Sequence, residues 1–487
     1  MTPATIPEMV LAAADRFGDA EAVVDGPTRL GFGDLATRVR VAAGAFASAG
    51  VGRGDRVAIW APNSVEWIVA AFGLLTAGGV LVPVNTRFRA EEAADVVVRG
   101  GARLLLVRGG FLGRDYPAPP GVRVVDLGSG FLDDGRPFER AVRPDDVADI
   151  VFTSGTTGRP KGVLMDHAQT LRKYGSWGDL VGLREGDRYL VVSPFFHTFG
   201  YKAGCVASLL KGCTILPVPV FDVDRVLELV ETERVTVLPG PPAVYHGLLA
   251  APGDRTTRGG RDVSSLRVAA TGAADIPADL VRRMRADLPF TSITTAYGLT
   301  EAGTVTASRP GDAFEDVAGT VGAPCDGMEV RLAADGEILV RGYSVMRGYL
   351  DDPAATAEAI GPDGWLRTGD LGAFDAAGRL LVKGRKKDMF LVGGFNAYPA
   401  EIEGFLMEHP AVAEAAVVGV PDARLGQVGV AFVVARAPVT VAGLLAWSRE
   451  RMAGYKVPRD VVFLPELPRN AAGKVTKDVL RDAARPA

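Results

Sequence analysis

At 487 residues, with 54 basic and 58 acidic side chains and a formal net charge of −4, the chain is too long for one hydrophobic core. Its mild acidity gives no reason to expect nucleic acid or an anionic membrane as a partner. The three cysteines, Cys205, Cys213 and Cys325, show no C-x-x-C spacing, which argues for a reduced cytoplasmic setting and against a zinc site. The N-terminal residues lack the basic and apolar regions of a signal peptide. No run of about 18 apolar residues is free of polar interruption, so no membrane span is expected.

In chain order, Ile6 to Phe17 and Leu35 to Ala49 carry helical apolar spacing. Short apolar strands follow at Val57–Trp60, Gly79–Val84 and Leu104–Val107, with a buried helix over Glu66–Ala77 between the first two. The alternation resumes with strands at Val147–Phe152, Tyr189–Val192, Cys213–Pro217, Val235–Leu238 and Leu266–Ala270, and helices at Asp224–Glu233 and Ala278–Ala286. Such alternation implies parallel sheets covered by helices. Gly253 to Arg261, rich in Gly, Arg and Thr, reads as a mobile loop.

From about Cys325 the texture changes to short strands and turns, Glu329–Leu332, Gly336–Val340 and Arg379–Val382, which read as an antiparallel subdomain. A charge cluster at Lys383–Asp388 marks a boundary. Beyond it, a helix over 399–408, strands over 412–420 and 428–435, a helix over 440–452 and a strand over 460–464 read as a compact α+β module.

Two segments carry chemistry in their own residues. Thr153-Ser154-Gly155-Thr156-Thr157-Gly158 leads through Arg159 and Pro160 to Lys161, just after an apolar strand. Hydroxyls, glycines that let backbone N–H groups approach oxygens, and a terminal cation suit a loop around a polyphosphate. The spacing differs from that of P-loop NTPases. In Thr295-Ala296-Tyr297-Gly298-Leu299-Thr300-Glu301, the tyrosine offers a flat face for a purine and Gly298 allows close backbone approach. Thr300 supplies a hydroxyl, and Glu301 a hard oxygen ligand suited to Mg²⁺. Further on, Asp370 ends a Gly-Trp-Leu-Arg-Thr-Gly-Asp run where a carboxylate could accept both ribose hydroxyls. An aspartate in a Gly-Asp turn alone more often makes a local backbone bond.

These segments, with Lys383–Asn396 and Pro468–Thr476, run in the order found in the adenylate-forming superfamily, and the chain resembles its acyl-CoA synthetase branch. The resemblance implies an α/β fold: a large N-terminal domain, residues 1–386, with two parallel-type sheets and a small barrel-like subdomain, hinged to a small α+β domain, residues 387–487. It implies an acid–thiol ligase using ATP, Mg²⁺ and coenzyme A, in which a carboxylic acid becomes an acyl-adenylate with loss of pyrophosphate and then an acyl-CoA. Nucleotide contacts are implied for residues 153–158, Lys161, Gly272, Ala273, Ala274, 295–300, Asp370 and Arg385, with Glu301 on the metal. Lys387 matches the hinge, Gly393, Gly394 and Phe395 the pantetheine tunnel, and Lys474 the lysine that swings in for adenylation.

The acid should lie against residues 193–204, with His197 matching the family's gate, and Phe196, Tyr201, Lys202, Pro241, Gly298, Gly303 and Thr304 lining the pocket. No Asp or Glu falls within 193–204, which disfavours an amino-acid substrate. Lys202 either snorkels to the surface or meets a distal polar group of the acid. The pattern is similar to that of actinobacterial CoA ligases for bulky polycyclic acids. An acyl-AMP ligase loading a carrier protein and an inactive binding homologue are the alternatives, and a homodimer or a monomer is expected.

Overall fold

The structure, a computed structural model, describes residues 3–113, 116–117, 119–153, 160–272, 276–393, 395–470 and 474–484. The helix α1 (Val65–Thr76) shows how the sequence builds the interior. Ser64 caps its first turn through the Trp67 N–H at 3.2 Å. Nearly every side chain after the cap is apolar, so no face can be left to water and the helix is buried all round.

Two large sheets flank this core. In the first, Arg56–Trp60, Val80–Pro83, Leu104–Val107 and Arg123–Asp126 lie parallel, and strand β1 (Val147–Thr153) joins them beside Val80–Pro83. Strand β2 (Lys161–Asp166) folds back antiparallel on β1, with Thr153 opposite Lys161. The chain therefore returns as a strand after the phosphate-type segment, whereas a P-loop leads directly into a helix. The helix α2 (His167–Val181) starts only after β2. Asp166 and Gln169 cap it reciprocally, the Gln169 N–H donating to Asp166 Oδ1 at 2.7 Å.

The second sheet has nine strands, mostly parallel through its centre. At one side β3 (Ser292–Leu299) turns tightly into antiparallel β4 (Gly303–Ala307). The expected antiparallel subdomain is a four-stranded sheet of Met328–Leu332, Glu337–Gly342, β5 (Leu366–Phe374) and β6 (Leu380–Arg385). The C-terminal region forms a five-stranded sheet with its own core around Phe390, Ile402, Val417, Ala431 and Leu444. No helix among the described residues is long and apolar enough to cross a membrane.

One expectation is corrected. Residues 253–261 are an ordered ribbon: Thr257–Arg258 pairs with Arg261–Asp262, and the buried Arg258 guanidinium donates to the Ala251 and Asp287 carbonyls. The polar composition concealed a side chain that holds the segment down.

Candidate active site

The cleft forms where the β1–β2 hairpin, the β3–β4 turn and the β5–β6 hairpin approach one another. Glu301 lies in the β3–β4 turn, and its Oε1 accepts from Tyr349 Oη at 3.1 Å and from Thr153 Oγ1 at 3.4 Å. The Lys161 ammonium sits over the same Tyr349 ring, 5.0 Å from its centroid. The cation and the hard carboxylate expected from the sequence are thus brought to one aromatic side chain. Sequence reading missed Tyr349; no local motif marks it.

Asp370 and Arg385 face each other across the β5–β6 pair. Arg385 Nε lies 3.1 Å from Asp370 Oδ1, while Tyr297 Oη donates to Oδ2 at 2.7 Å. Burial, reinforced by that carboxylate, holds the Tyr297 phenol protonated. The three nucleotide candidates from distant segments therefore form one hydrogen-bonded set. Gly298 is required by sterics: a Cβ there would lie 2.4 Å from the Gly303 carbonyl oxygen. Gly272 also lies close to the backbone of Ala296, where a Cβ would meet the carbonyl oxygen at 2.8 Å. Leu299 and Thr300 are half-buried at the end of β3 and in the turn after it.

Thr295 departs from expectation. Its N–H donates to Ser308 Oγ at 3.0 Å, its carbonyl accepts from the Ser308 N–H at 2.9 Å, and its hydroxyl faces the Val317 and Thr320 carbonyls. Its polar groups serve the fold. Ser154, Gly155, Thr156, Thr157 and Gly158, together with Ala273, Ala274 and Gly394, lie outside the described residues.

On the acyl side, His197 Nδ1 accepts from the Phe199 N–H at 3.2 Å, so the neutral ring carries its proton on Nε2. Burial, with the positive charge of Lys474 as a second cause, pushes the His197 pKa down to about 4. The exposed Lys474, on its C-terminal loop, thus acts electrostatically across the cleft. Phe196 and Gly303 are buried, Gly303 at the start of β4, while Pro241 and Thr304 are half-buried.

Two pocket expectations fail. Residues Tyr201–Val206 wind as a π-helix, which turns their side chains off the α-helical phase. Tyr201 packs on Trp67 and Phe72 of α1, with ring centroids 5.5 and 6.3 Å away, and belongs to the core. Lys202 neither snorkels nor faces the cleft. It is 1% exposed, and its Nζ lies 2.8 Å from Oδ1 of the fully buried Asp149 on β1.

In the C-terminal region Lys387 is exposed just past β6. Gly393 adopts φ +57°, a left-handed conformation that favours glycine, and its N–H donates to the Leu425 carbonyl at 2.8 Å. Phe395 is 61% exposed and stacks on Tyr455 with centroids 5.0 Å apart.

The chain matches the AMP-binding enzyme family over residues 10–350 and the AMP-binding enzyme C-terminal domain over residues 401–474, and it belongs to that family. It is 47% identical, over 99% of both chains, to the 3-[(3aS,4S,7aS)-7a-methyl-1,5-dioxo-octahydro-1H-inden-4-yl]propanoyl:CoA ligase of Rhodococcus jostii (strain RHA1). A ligase of the same description from Mycobacterium tuberculosis (strain ATCC 25618 / H37Rv) is 46% identical over 98% of both chains. Among solved structures, the anthranilate CoA ligase AuaEII in complex with anthranoyl-AMP superposes with a TM-score of 0.90 at 26% identity, over 99% of this chain and 97% of that one. The protein is an ATP-dependent, AMP-forming acid–thiol ligase of the acyl-CoA synthetase class.

Proposed function

We propose that this ligase activates a ring-bearing propanoate with distal oxygens, of the kind named for its R. jostii relative. The observation that carries this reading is the character of the acyl wall. Residues 193–204 contain no carboxylate to pair with a substrate ammonium, and their one cation, Lys202, is closed off by Asp149. What remains is aromatic and aliphatic surface, suited to a bulky apolar ring system.

The chemistry runs in two half-reactions in one cleft. The acid's carboxylate oxygen attacks the α-phosphorus of ATP, and the bond to the pyrophosphate oxygen breaks. Lys161 and Thr300 hold phosphate oxygens, and Asp370, oriented by Tyr297 and Arg385, accepts the ribose hydroxyls. Glu301 is a single hard carboxylate beside the phosphate segment, which fits Mg²⁺, an ion that keeps water and phosphate oxygens as its other ligands. When bound there, Mg²⁺ would neutralise phosphate charge. Lys474 reaches the reacting oxygens from the C-terminal region, and neutral His197 borders them without adding charge.

For the second half-reaction the C-terminal domain, residues 387–487, turns about Lys387. Lys474 withdraws, and the Gly393–Gly394–Phe395 segment meets the pantetheine arm. The CoA sulfur then attacks the acyl carbonyl and AMP leaves.

The test is thioester formation by the purified protein with ATP, Mg²⁺ and CoA, comparing the dioxo-octahydroindenyl propanoate with straight-chain and simple aryl acids. Preference for the ring acid is expected. A preference for a straight-chain acid would overturn the substrate assignment, and pyrophosphate release without thioester would identify a carrier protein as acceptor.

A further inference from the structure

Helix α2 holds a second buried lysine, and its surroundings are unlike those of Lys202. Lys173 is 1% exposed, yet its Nζ has no hydrogen-bond partner among the described residues. The ammonium lies 5.5 Å from the centroid of Tyr343, a ring already covered at 3.8 Å by the guanidinium of Arg172. Burial draws the Lys173 pKa down, opposed by the neighbouring Cys325 and assisted by Arg172. An unpaired charge in the interior is unfavourable. A group held in that state has donors to offer that the described chain does not use.

Its position points those donors at the acid. The stem of Lys173 crosses Gly303: a Cβ built there would lie 3.1 Å from its Cγ and 3.5 Å from its Cε. Gly303 opens β4 two residues after Glu301, and the family resemblance puts it on the pocket lining. Tyr174 Oη is 3.7 Å from the same built position, and Tyr174 is hydrogen-bonded to Thr198, next to His197. One turn beyond Lys173, Trp177 packs edge-on against Phe199 with centroids 6.0 Å apart. This face of α2 therefore closes the gap between the His197 segment and the turn that carries Glu301.

We propose that Lys173 is a specificity-determining residue at the far end of the acyl cleft, donating a hydrogen bond to an acceptor oxygen, such as a ring ketone, distal to the acid's carboxylate. This rests on the ring-acid reading above. It explains why a lysine stands in an otherwise apolar wall, beside a Gly303 whose φ of +62° itself favours glycine. It also separates the two buried lysines: Lys202 is paired within the fold, and Lys173 is paired by substrate.

Rates of thioester formation with the dioxo-octahydroindenyl propanoate and with the same ring acid lacking both ketones test the proposal in wild type, Lys173→Met and Lys173→Gln. Wild type should favour the dioxo acid in kcat/KM by about ten- to a hundredfold, the strength of a hydrogen bond to a charged donor. In Lys173→Met that ratio should fall close to one, and Lys173→Gln, which keeps an amide donor, should restore part of it. Because the ratio compares two acids in one preparation, a loss of folded protein cancels. A ratio unchanged by Lys173→Met would overturn the proposal, as would a wild type that uses both acids equally well, and either result leaves the ring-acid reading standing. Silence with both ring acids would overturn both readings.

Discussion

The two halves of the cleft are built on opposite principles. On the nucleotide side, polar groups are paired with one another: Asp370 receives Tyr297 and Arg385, and Glu301 receives Tyr349 and Thr153. On the acyl side the proposed wall is largely apolar and its charges are buried, Lys202 paired with Asp149 behind it and Lys173 within it, without a hydrogen-bond partner among the described residues. The difference follows from the ligands. A polyphosphate and a ribose are the same in every member of the family, so short contiguous motifs can encode their site. The acid varies between members, and the wall proposed for it draws on α2, residues 193–204 and the β3–β4 turn, which are far apart in sequence.

Removing one member of the paired charge should separate the two sides most strongly. Lys202→Met leaves Asp149 buried and uncompensated, and should lower stability by about 3–5 kcal/mol in urea denaturation. The double variant Asp149→Leu/Lys202→Met should recover most of that loss, because an apolar pair fills the same interior without desolvated charge. Failure to recover would mean that the pair does more than neutralise itself.

An effect of about 3 kcal/mol is expected from pH. His167 is buried, its Nδ1 accepting from the Ile6 N–H at 3.3 Å, and burial lowers its pKa to about 4. The unfolded chain takes up that proton near pH 6.5, so it binds more protons than the native state below that value. Stability should therefore be fully present above about pH 6.5 and decline by roughly 3 kcal/mol as pH falls to 4. His197 contributes in the same direction. Urea midpoints across this range check it, and His167→Gln should flatten the slope.

The smallest of these effects concerns the nucleotide side. Asp370→Asn removes the charge that Arg385 and Tyr297 organise, and should lower kcat/KM for ATP by about ten- to a hundredfold. The kcat/KM ratio between two acids should be unaffected, since that discrimination resides on the other side.

Much of the fold was legible because strand and helix periods are local. Ile6–Phe17 and Leu104–Val107 lie where their patterns place them. Strand β2 was missed because its charged and glycine residues, Lys161 and Gly162, look like loop. On the nucleotide side, the residue types were readable, but the partnership of Asp370 with Arg385 exists only through β5–β6 register. The acyl side was less legible for two physical reasons. The π-helical turn changed the direction of Tyr201 and Lys202, and Asp149, one carboxylate in an apolar strand, gives no sign that a lysine 53 positions later neutralises it. Lys173 was invisible for the same reason: a lysine on a helix normally reads as solvated surface.

On the proposed reading, one cleft serves both half-reactions and Lys474 completes it only for the first. The most direct measurement compares wild type with Lys474→Ala in acid-dependent ATP–pyrophosphate exchange and in thioester formation from supplied acyl-AMP and CoA. The expected result is a loss of roughly a hundredfold or more in the exchange, with thioester formation largely retained. Equal loss of both half-reactions would contradict the account.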